Sequence, residues 1–356
     1  MCYNIRMNRI RFLDLEPEAF GLDFSDRKLR LARLDKVRGS LTLTSYSEVV
    51  LPGGIIASGD VLDEGKLTKA VLELVSKAKL KTKYVVASLP ERKGFLRVID
   101  VLKMTESELK TAIPFEVENY IPLTSDNIYM DYRIIGNSRE SNKMEVLIGA
   151  MPKAVVDPYI NCLTGAGLIP KALEIESQAI VRSVIAGGVS PFPCLIIDFG
   201  RTTTSLTIYS GNSLRFTASL LISSGILTET IAKERKINVE EAEKLKIDQG
   251  MEAIKQSSTD IVSVLAKDIK KYIQYYRTHS GNSSGEIKRI LLCGAGANLK
   301  GLDKFILAET KIKTELANPW ANIIGDKKTV PKIPRDQSLG YTTALGLALR
   351  GINATR

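Results

Sequence analysis

The chain has 356 residues, 44% hydrophobic and 25% charged, with a formal net charge of +10. That length holds two ordinary domains with a sizeable core, and that composition excludes wholesale disorder. A single histidine, His279, set in a polar Ser/Gly/Asn loop, leaves no multi-histidine metal site and no well-placed histidine for a catalytic triad.

No apolar run reaches the length of a membrane span, and residues 1–9 lack the apolar core of a signal peptide, so a cytosolic protein is expected. The four cysteines, Cys2, Cys162, Cys194 and Cys293, are scattered and read as reduced structural thiols. Lysine and arginine are spread along the chain, without a zinc pattern or an aromatic RNA-binding motif. No nucleic-acid partner is expected, and the basic surface suits an anionic membrane or an acidic partner.

Residues before Phe20 are charged and irregular, a poorly ordered start or an added strand. Gly21-Leu-Asp23-Phe-Ser25-Asp26-Arg27-Lys28 then opens a hairpin running to about Val50. In its second strand Lys28 and Arg30 alternate with leucines, so their side chains are expected to face away from the core. Residues 66–80 have helical periodicity, with Leu67, Val71 and Leu74 on one face, and 84–88 read as a strand. Residues 95–101 read as another strand. The capping box Thr105 to Glu108 starts a helix, which Pro114 should kink and Pro122 should end. Two strands, 129–135 and 144–150, flank a polar turn. A helix over 155–166 follows, and residues 167–170 turn the chain back.

The second half opens on a buried strand, Cys194-Leu-Ile-Ile-Asp198-Phe, then Gly200-Arg201-Thr202-Thr203-Thr204 and an alternating strand to Tyr209. A carboxylate at a strand end, a glycine turn and three hydroxyl residues form either a plain strand turn or a phosphate clasp. Backbone N–H groups at such a turn can converge on an anion, and Asp198 can hold hydrated Mg²⁺. A glycine turn at Gly225 enters a helix whose N-terminus could face phosphate. Residues 238–249 form a helix carrying Glu243 and Lys246, read either as a solvated pair or as ligand contacts. Residues 259–277 are amphipathic, with Leu265, Ile269 and Tyr276 inward and Lys267, Lys270 and Lys271 outward. Finally Gly294-Ala295-Gly296-Ala-Asn298 ends a buried strand, where backbone can approach a flat ligand, and a helix spans 342–349.

Two Asp hairpins about half a chain apart, followed by this glycine turn, resemble the phosphate-1, phosphate-2 and adenosine motifs of the actin-like ATPase superfamily, which includes actin, sugar kinases and FtsA. The resemblance implies an α/β actin-like ATPase fold, with two related α/β halves facing one nucleotide. ATP or ADP with Mg²⁺ would contact Asp23, Ser25, Asp26, Arg27, Lys28, Asp198, Gly200, Arg201, Thr202, Thr203, Thr204, Gly225, Glu243, Lys246, Gly294, Ala295, Gly296 and Asn298. Asp23 and Asp198 would hold the metal through water. Ser25 stands where the superfamily has glycine, and Asp26 brings a carboxylate towards phosphate, so slow or absent hydrolysis is expected. Glu174 is the candidate catalytic carboxylate on this resemblance, or it caps local backbone.

Ala112-Ile-Pro-Phe-Glu116-Val-Glu118-Asn-Tyr120-Ile-Pro122, Tyr129-Met-Asp131-Tyr132 and Gly165-Ala-Gly167-Leu-Ile-Pro170 are similar to the PilM family of type IV pilus assembly proteins. The similarity covers nearly the whole chain after residue 20, and it implies the inserted 1C subdomain of FtsA and PilM. The implied division is an extension 1–19, subdomain 1A at 20–90 and 164–192, insert 1C at 91–163, subdomain 2A at 193–225 and 288–350, subdomain 2B at 226–287, and a tail 351–356. The family implies a cytoplasmic ATP-binding scaffold at the inner face of the membrane. Its partners would be the N-terminal tail of a PilN-like membrane protein and other pilus assembly proteins. Tyr84, Val86, Phe95, Val98, Tyr159 and Leu163 are expected to line the tail's groove, unless they simply seal the insert to the core. An FtsA-like division protein and a small-molecule kinase are the alternatives. The chain stops without an amphipathic membrane-targeting helix of the FtsA kind, and no general base for an acceptor hydroxyl stands out.

Overall fold

A computed structural model describes residues 18–37, 39–120, 124–138, 142–255, 259–279, 285–323 and 332–353. The first half begins with an antiparallel meander of β1 (Phe20–Phe24), β2 (Lys28–Val37) and β3 (Ser40–Val50). A small hairpin of β4 (Ile56–Ala57) and β5 (Asp60–Val61) leads into α1 (Glu64–Ala78) and β6 (Tyr84–Leu89). Next come β7 (Phe95–Leu102), α2 (Glu106–Glu118), β8 (Ile128–Asn137), β9 (Lys143–Pro152), α3 (Lys153–Gly165), β10 (Ile169–Ile175) and α4 (Glu176–Val184). The second half repeats the meander as β11 (Ser190–Phe199), β12 (Thr204–Gly211) and β13 (Ser213–Leu220). It continues with α5 (Ser224–Arg235), α6 (Val239–Gln249), α7 (Met251–Lys255), α8 (Thr259–His279), β14 (Arg289–Cys293), α9 (Leu302–Thr310), β15 (Lys313–Leu316), α10 (Arg335–Ser338) and α11 (Thr342–Asn353).

Local chemistry sets many of these boundaries. The Asp63 carboxylate accepts from Lys66 N at 2.9 Å to start α1, and Lys79, in the left-handed region at φ 51°, ends it. Leu67, Val71, Leu74 and Ala78 recur at helical spacing and are all buried. The Thr105–Glu108 capping box is formed, and α2 runs on through Pro114. All five residues of β1 are buried, as a strand flanked by neighbours on both sides and covered on both faces requires.

The two halves share one strand pattern. In the first sheet the order is β10-β6-β1-β2-β3, with β1 antiparallel to β2 and parallel to β6. In the second, β15-β14-β11-β12-β13 repeats it, with β11 antiparallel to β12 and parallel to β14. The second sheet then continues into β7, β9 and β8, through a single pair, Phe216 with Arg97. The inserted strands therefore extend the sheet of the opposite half. They keep a core of their own, in which Ile99, Val101, Met144, Val146 and Ile148 pack against Leu109, Ile113 and Val117 of α2.

Helix α11 is buried from Thr342 to Leu349, and it crosses α4 and β1 closely. A Cβ on Gly346 would lie 1.9 Å from Ala179 O, and one on Gly21 would lie 2.3 Å from Ala344 O. Only glycine permits these approaches.

Some elements depart from the expectations. Residues 169–175, expected to begin with a turn, form β10, because parallel pairing with β6 satisfies their backbone. The periodicity also gave no sign of β13, β15, α9 or α4. Polar residues interrupt β13, and β15 and α9 are short, so neither strand alternation nor helical spacing has room to develop. Cys162, Cys194 and Cys293 are free and buried. The expected order of residues 1–17, with Cys2, the stop at Pro122, the turn at 139–141, the loop 280–284 beside His279 and the tail 354–356 lie outside the described residues.

Candidate functional site

The ends of β1 and β11 bring Asp23 and Asp198 close enough to repel each other. Burial, and then the Asp23 charge, raises Asp198 to about 7. Burial raises Asp23 to about 6, against the opposing pull of Arg30 and a hydrogen bond from Ser88 Oγ at 3.1 Å. Two further acids share this cleft. Glu176, at the start of α4, is pushed well above the usual carboxylate range by burial and by the charges of Asp23 and Asp198. Glu91 is raised by burial as well. Backbone bonds tie the two glutamates together: Glu91 N donates to Glu176 Oε2 at 3.1 Å, and the next residue, Ser177, donates its N–H to Glu91 Oε2 at 3.2 Å.

Glu174 stands apart from this cluster. Its carboxylate is buried and paired with Arg182 and Arg350, so it is held as an ion-bridged structural group. The carboxylate facing the two aspartates is Glu176, two residues further on at the start of α4. Arg30, expected to point outward, is mostly buried and lowers the pKa of both aspartates, while its Nε donates to Glu48 at 3.3 Å.

Other residues of the first hairpin are engaged locally. Ser25 Oγ donates to Lys28 O at 3.0 Å, Lys28 pairs with Glu48 at 2.7 Å, and Arg27 is exposed. Asp26 does not crowd the cleft: Ser58 N and Gly59 N donate to its two oxygens at 2.9 and 3.1 Å.

The second hairpin and the loops around it form one network. Gly200 N donates to Thr203 O at 3.0 Å and closes the turn. Ser224 N and Gly225 N donate to Gly200 O and Arg201 O at 2.9 and 2.8 Å. Lys246 is buried, and its Nζ donates to Ser224 O, Ser224 Oγ, Thr228 Oγ1 and Glu243 Oε2 at 2.7–2.9 Å. Burial lowers its pKa. Arg201 approaches Glu243 at 3.9 Å. Gly294 and Gly296 press on the Asp198 turn, since a Cβ on either would lie under 3 Å from Phe199 O. Asn298 Nδ2 braces this loop on Ala295 O and Asp336 O. Thr202 and Thr203 remain accessible, while Thr204 is buried with no partner for its Oγ1 among the described residues.

No group of three or more His, Cys, Asp or Glu among the described residues is placed to ligate a metal directly. The donor set fits a cation held through water: buried, mutually repelling carboxylates are what such a charge relieves.

A second feature is a cavity of about 740 Å³. One wall is five consecutive residues of β8, Tyr129 to Arg133, and another is six consecutive residues of β10, Pro170 to Ile175. Both are the last strands of their sheets. Gln178 and Val181 of α4 and Tyr209 and Leu214 of the second half complete it. None of the six residues expected to line the tail's groove borders this cavity. Val86, Tyr159 and Leu163 are fully buried, and Tyr159 donates to Gly59 O at 2.9 Å. Tyr84 packs on the core that Val86 forms with Ala179 and Leu347, and Val98 packs on the main core. Phe95 borders a smaller pocket of about 200 Å³ and stacks on Tyr120.

The family model for the type IV pilus assembly protein PilM matches residues 21–352. The chain belongs to the PilM family. A solved PilM-PilN type IV pilus biogenesis complex superposes with a TM-score of 0.82 at 25% identity, over 94% of this chain and 99% of that one. MreB5 of Spiroplasma citri bound to ADP superposes with a TM-score of 0.55 at 13% identity, over 94% and 96%, a likeness of fold alone. The cell division protein FtsA of Enterococcus hirae is 22% identical over 254 residues, 65% of this chain, and the chain spans 57% of that protein's length. The actin-like ATPase fold expected from Asp23, Asp198 and Gly294 is the fold of this chain, and the chain is an actin-like protein of type IV pilus assembly.

Proposed function

We propose that the chain is a nucleotide-binding scaffold that holds the extended N-terminal tail of a PilN-like membrane protein, at the inner face of the cytoplasmic membrane. Through that tail it would join other pilus assembly proteins. The observation that carries this reading is the slot between β8 and β10, two sheet edges facing one cavity. An edge strand presents unpaired N–H and C=O groups, and an extended peptide adds to it through main-chain hydrogen bonds. Leu147, Val156 and Ile160 supply apolar pockets for alternate side chains. Kinship with a solved PilM-PilN complex supports the choice of tail. In titration calorimetry, a synthetic PilN-like N-terminal peptide should bind the wild type and lose at least about tenfold in Gln178→Trp, which fills the slot. Equal binding by the two proteins would place the tail elsewhere.

In the nucleotide cleft, Asp23 and Asp198 would hold hydrated Mg²⁺. The turn at Gly200 with Thr202 and Thr203, and Arg30 from the opposite half, would take the phosphates. The loop from Gly294 to Asn298 would take the adenosine. Bound Mg²⁺ and phosphate supply the charges that offset the carboxylates and Arg30. Binding of ATP with Mg²⁺ should weaken at least about tenfold in Asp198→Ala, and unchanged affinity would contradict the site.

A further inference from the structure

The sheet end furthest from the carboxylate cleft is basic. Asp23 lies near the end of β1, and β6 and β10 run parallel to it, so Tyr84 and Ile169 begin at the opposite end of the sheet. There β2 finishes at Val37, and Lys79 to Lys83 join α1 to β6. This end gathers exposed Lys36, Lys79, Lys81, Lys83 and Lys171. None of Lys36, Lys79, Lys81 and Lys83 makes an ion pair among the described residues, and Lys171 lies over the Tyr84 ring at 5.7 Å. The nearby acids are already engaged: Asp35 pairs with Arg33 at 2.7 Å, and Glu18 approaches Arg33 at 3.8 Å. Between the lysines, Val37 and Ile169 are 46% and 47% exposed. Lys171 also borders the slot between β8 and β10, so the basic end and one end of that slot coincide.

We propose that this sheet end is a surface for anionic phospholipid. Lysines attract a negatively charged leaflet within a Debye length, and exposed apolar side chains among them can enter the headgroup layer. The choice of a lipid surface over another polyanion rests on the tail-docking proposal: a membrane-tethered tail leaving the slot beside Lys171 would hold this end against the bilayer. The contact would be direct, in addition to recruitment through the tail.

The test is sedimentation of the full chain, without tail peptide, with vesicles of phosphatidylcholine alone or with about one-third phosphatidylglycerol. The expected result is binding to the anionic vesicles only, reversed by salt. The triple variant Lys79→Glu, Lys81→Glu, Lys83→Glu should lose at least about tenfold in partitioning. The same variant should bind the tail peptide, in the absence of vesicles, as the wild type does, which reports both its fold and the slot. Equal partitioning of variant and wild type would overturn the proposal. So would absence of binding to anionic vesicles, or a lysine-dependent affinity for duplex DNA without vesicle binding. Loss of tail binding in the wild type would refute the slot and leave the vesicle result to stand by itself.

Discussion

Asp23, Glu91, Glu176 and Asp198 share one cleft, and burial raises the pKa of each. In the metal-free chain this works against folding at neutral pH. A carboxylate whose folded pKa lies above its unfolded value of about 3.9 keeps a proton in the folded state that the unfolded chain has released. The contribution of Asp23 and Asp198 therefore falls as pH rises from about 4 to about 7. Asp198→Asn removes one of these charges. In EDTA it should stabilise the chain at about pH 8 by on the order of 2 kcal/mol, after allowing for solvent at the cleft, and the gain should shrink below about pH 5. Denaturant melts across that range measure it, and a gain independent of pH would contradict the charge cluster. Asp23 and Asp198 were legible because a carboxylate at a strand end before a tight turn is a local pattern. Glu91, Glu176 and Arg30 were not. The glutamates reach the cleft only through crossovers joining distant strands, and strand alternation alone sent Arg30 to the surface, whereas it lies towards the cleft between the halves.

Among the elements, α4 does two things at once. Its first residue, Glu176, enters the carboxylate cleft, and Gln178, Val181 and Arg182 face the slot. Its position depends on α11, which it crosses at Gly346. A methyl group there meets Ala179 O at 1.9 Å, so Gly346→Ala should cost about 3 kcal/mol or prevent folding. Gly136→Ala, with nothing within 4 Å of the added Cβ, should change stability by less than about 0.5 kcal/mol. Chemical denaturation compares the two, and similar costs would contradict the close crossing. At this scale the strongly periodic helices and the β1–β2 and β11–β12 hairpins could be read directly. The slot had no such signal: the apolar residues of 84–89 and 155–166 were good markers of burial, and Tyr159 and Leu163 lie in the core. The wall of the slot is instead made by β8 and by β10, whose start resembled a turn.

Across the whole molecule, the insert leaves the first half and joins the sheet of the second through Phe216 and Arg97, with Arg215 bridging to Glu145. The slot is consequently lined from both halves as well as from the insert. The order of the Asp23, Asp198 and Gly294 motifs revealed the duplicated architecture, because each half needs its own strand-turn-strand. Which sheet the insert would extend had no local signature, since one cross-strand pair decides it. The most direct measurement is amide hydrogen exchange of the wild-type chain with and without a saturating PilN-like N-terminal peptide. An extended tail added to the sheet edges should slow exchange within residues 129–133 of β8 and 171–175 of β10. Unchanged exchange in both strands while the peptide is bound, or slowing confined to the pocket at Phe95 and Tyr120, would contradict docking between the edges.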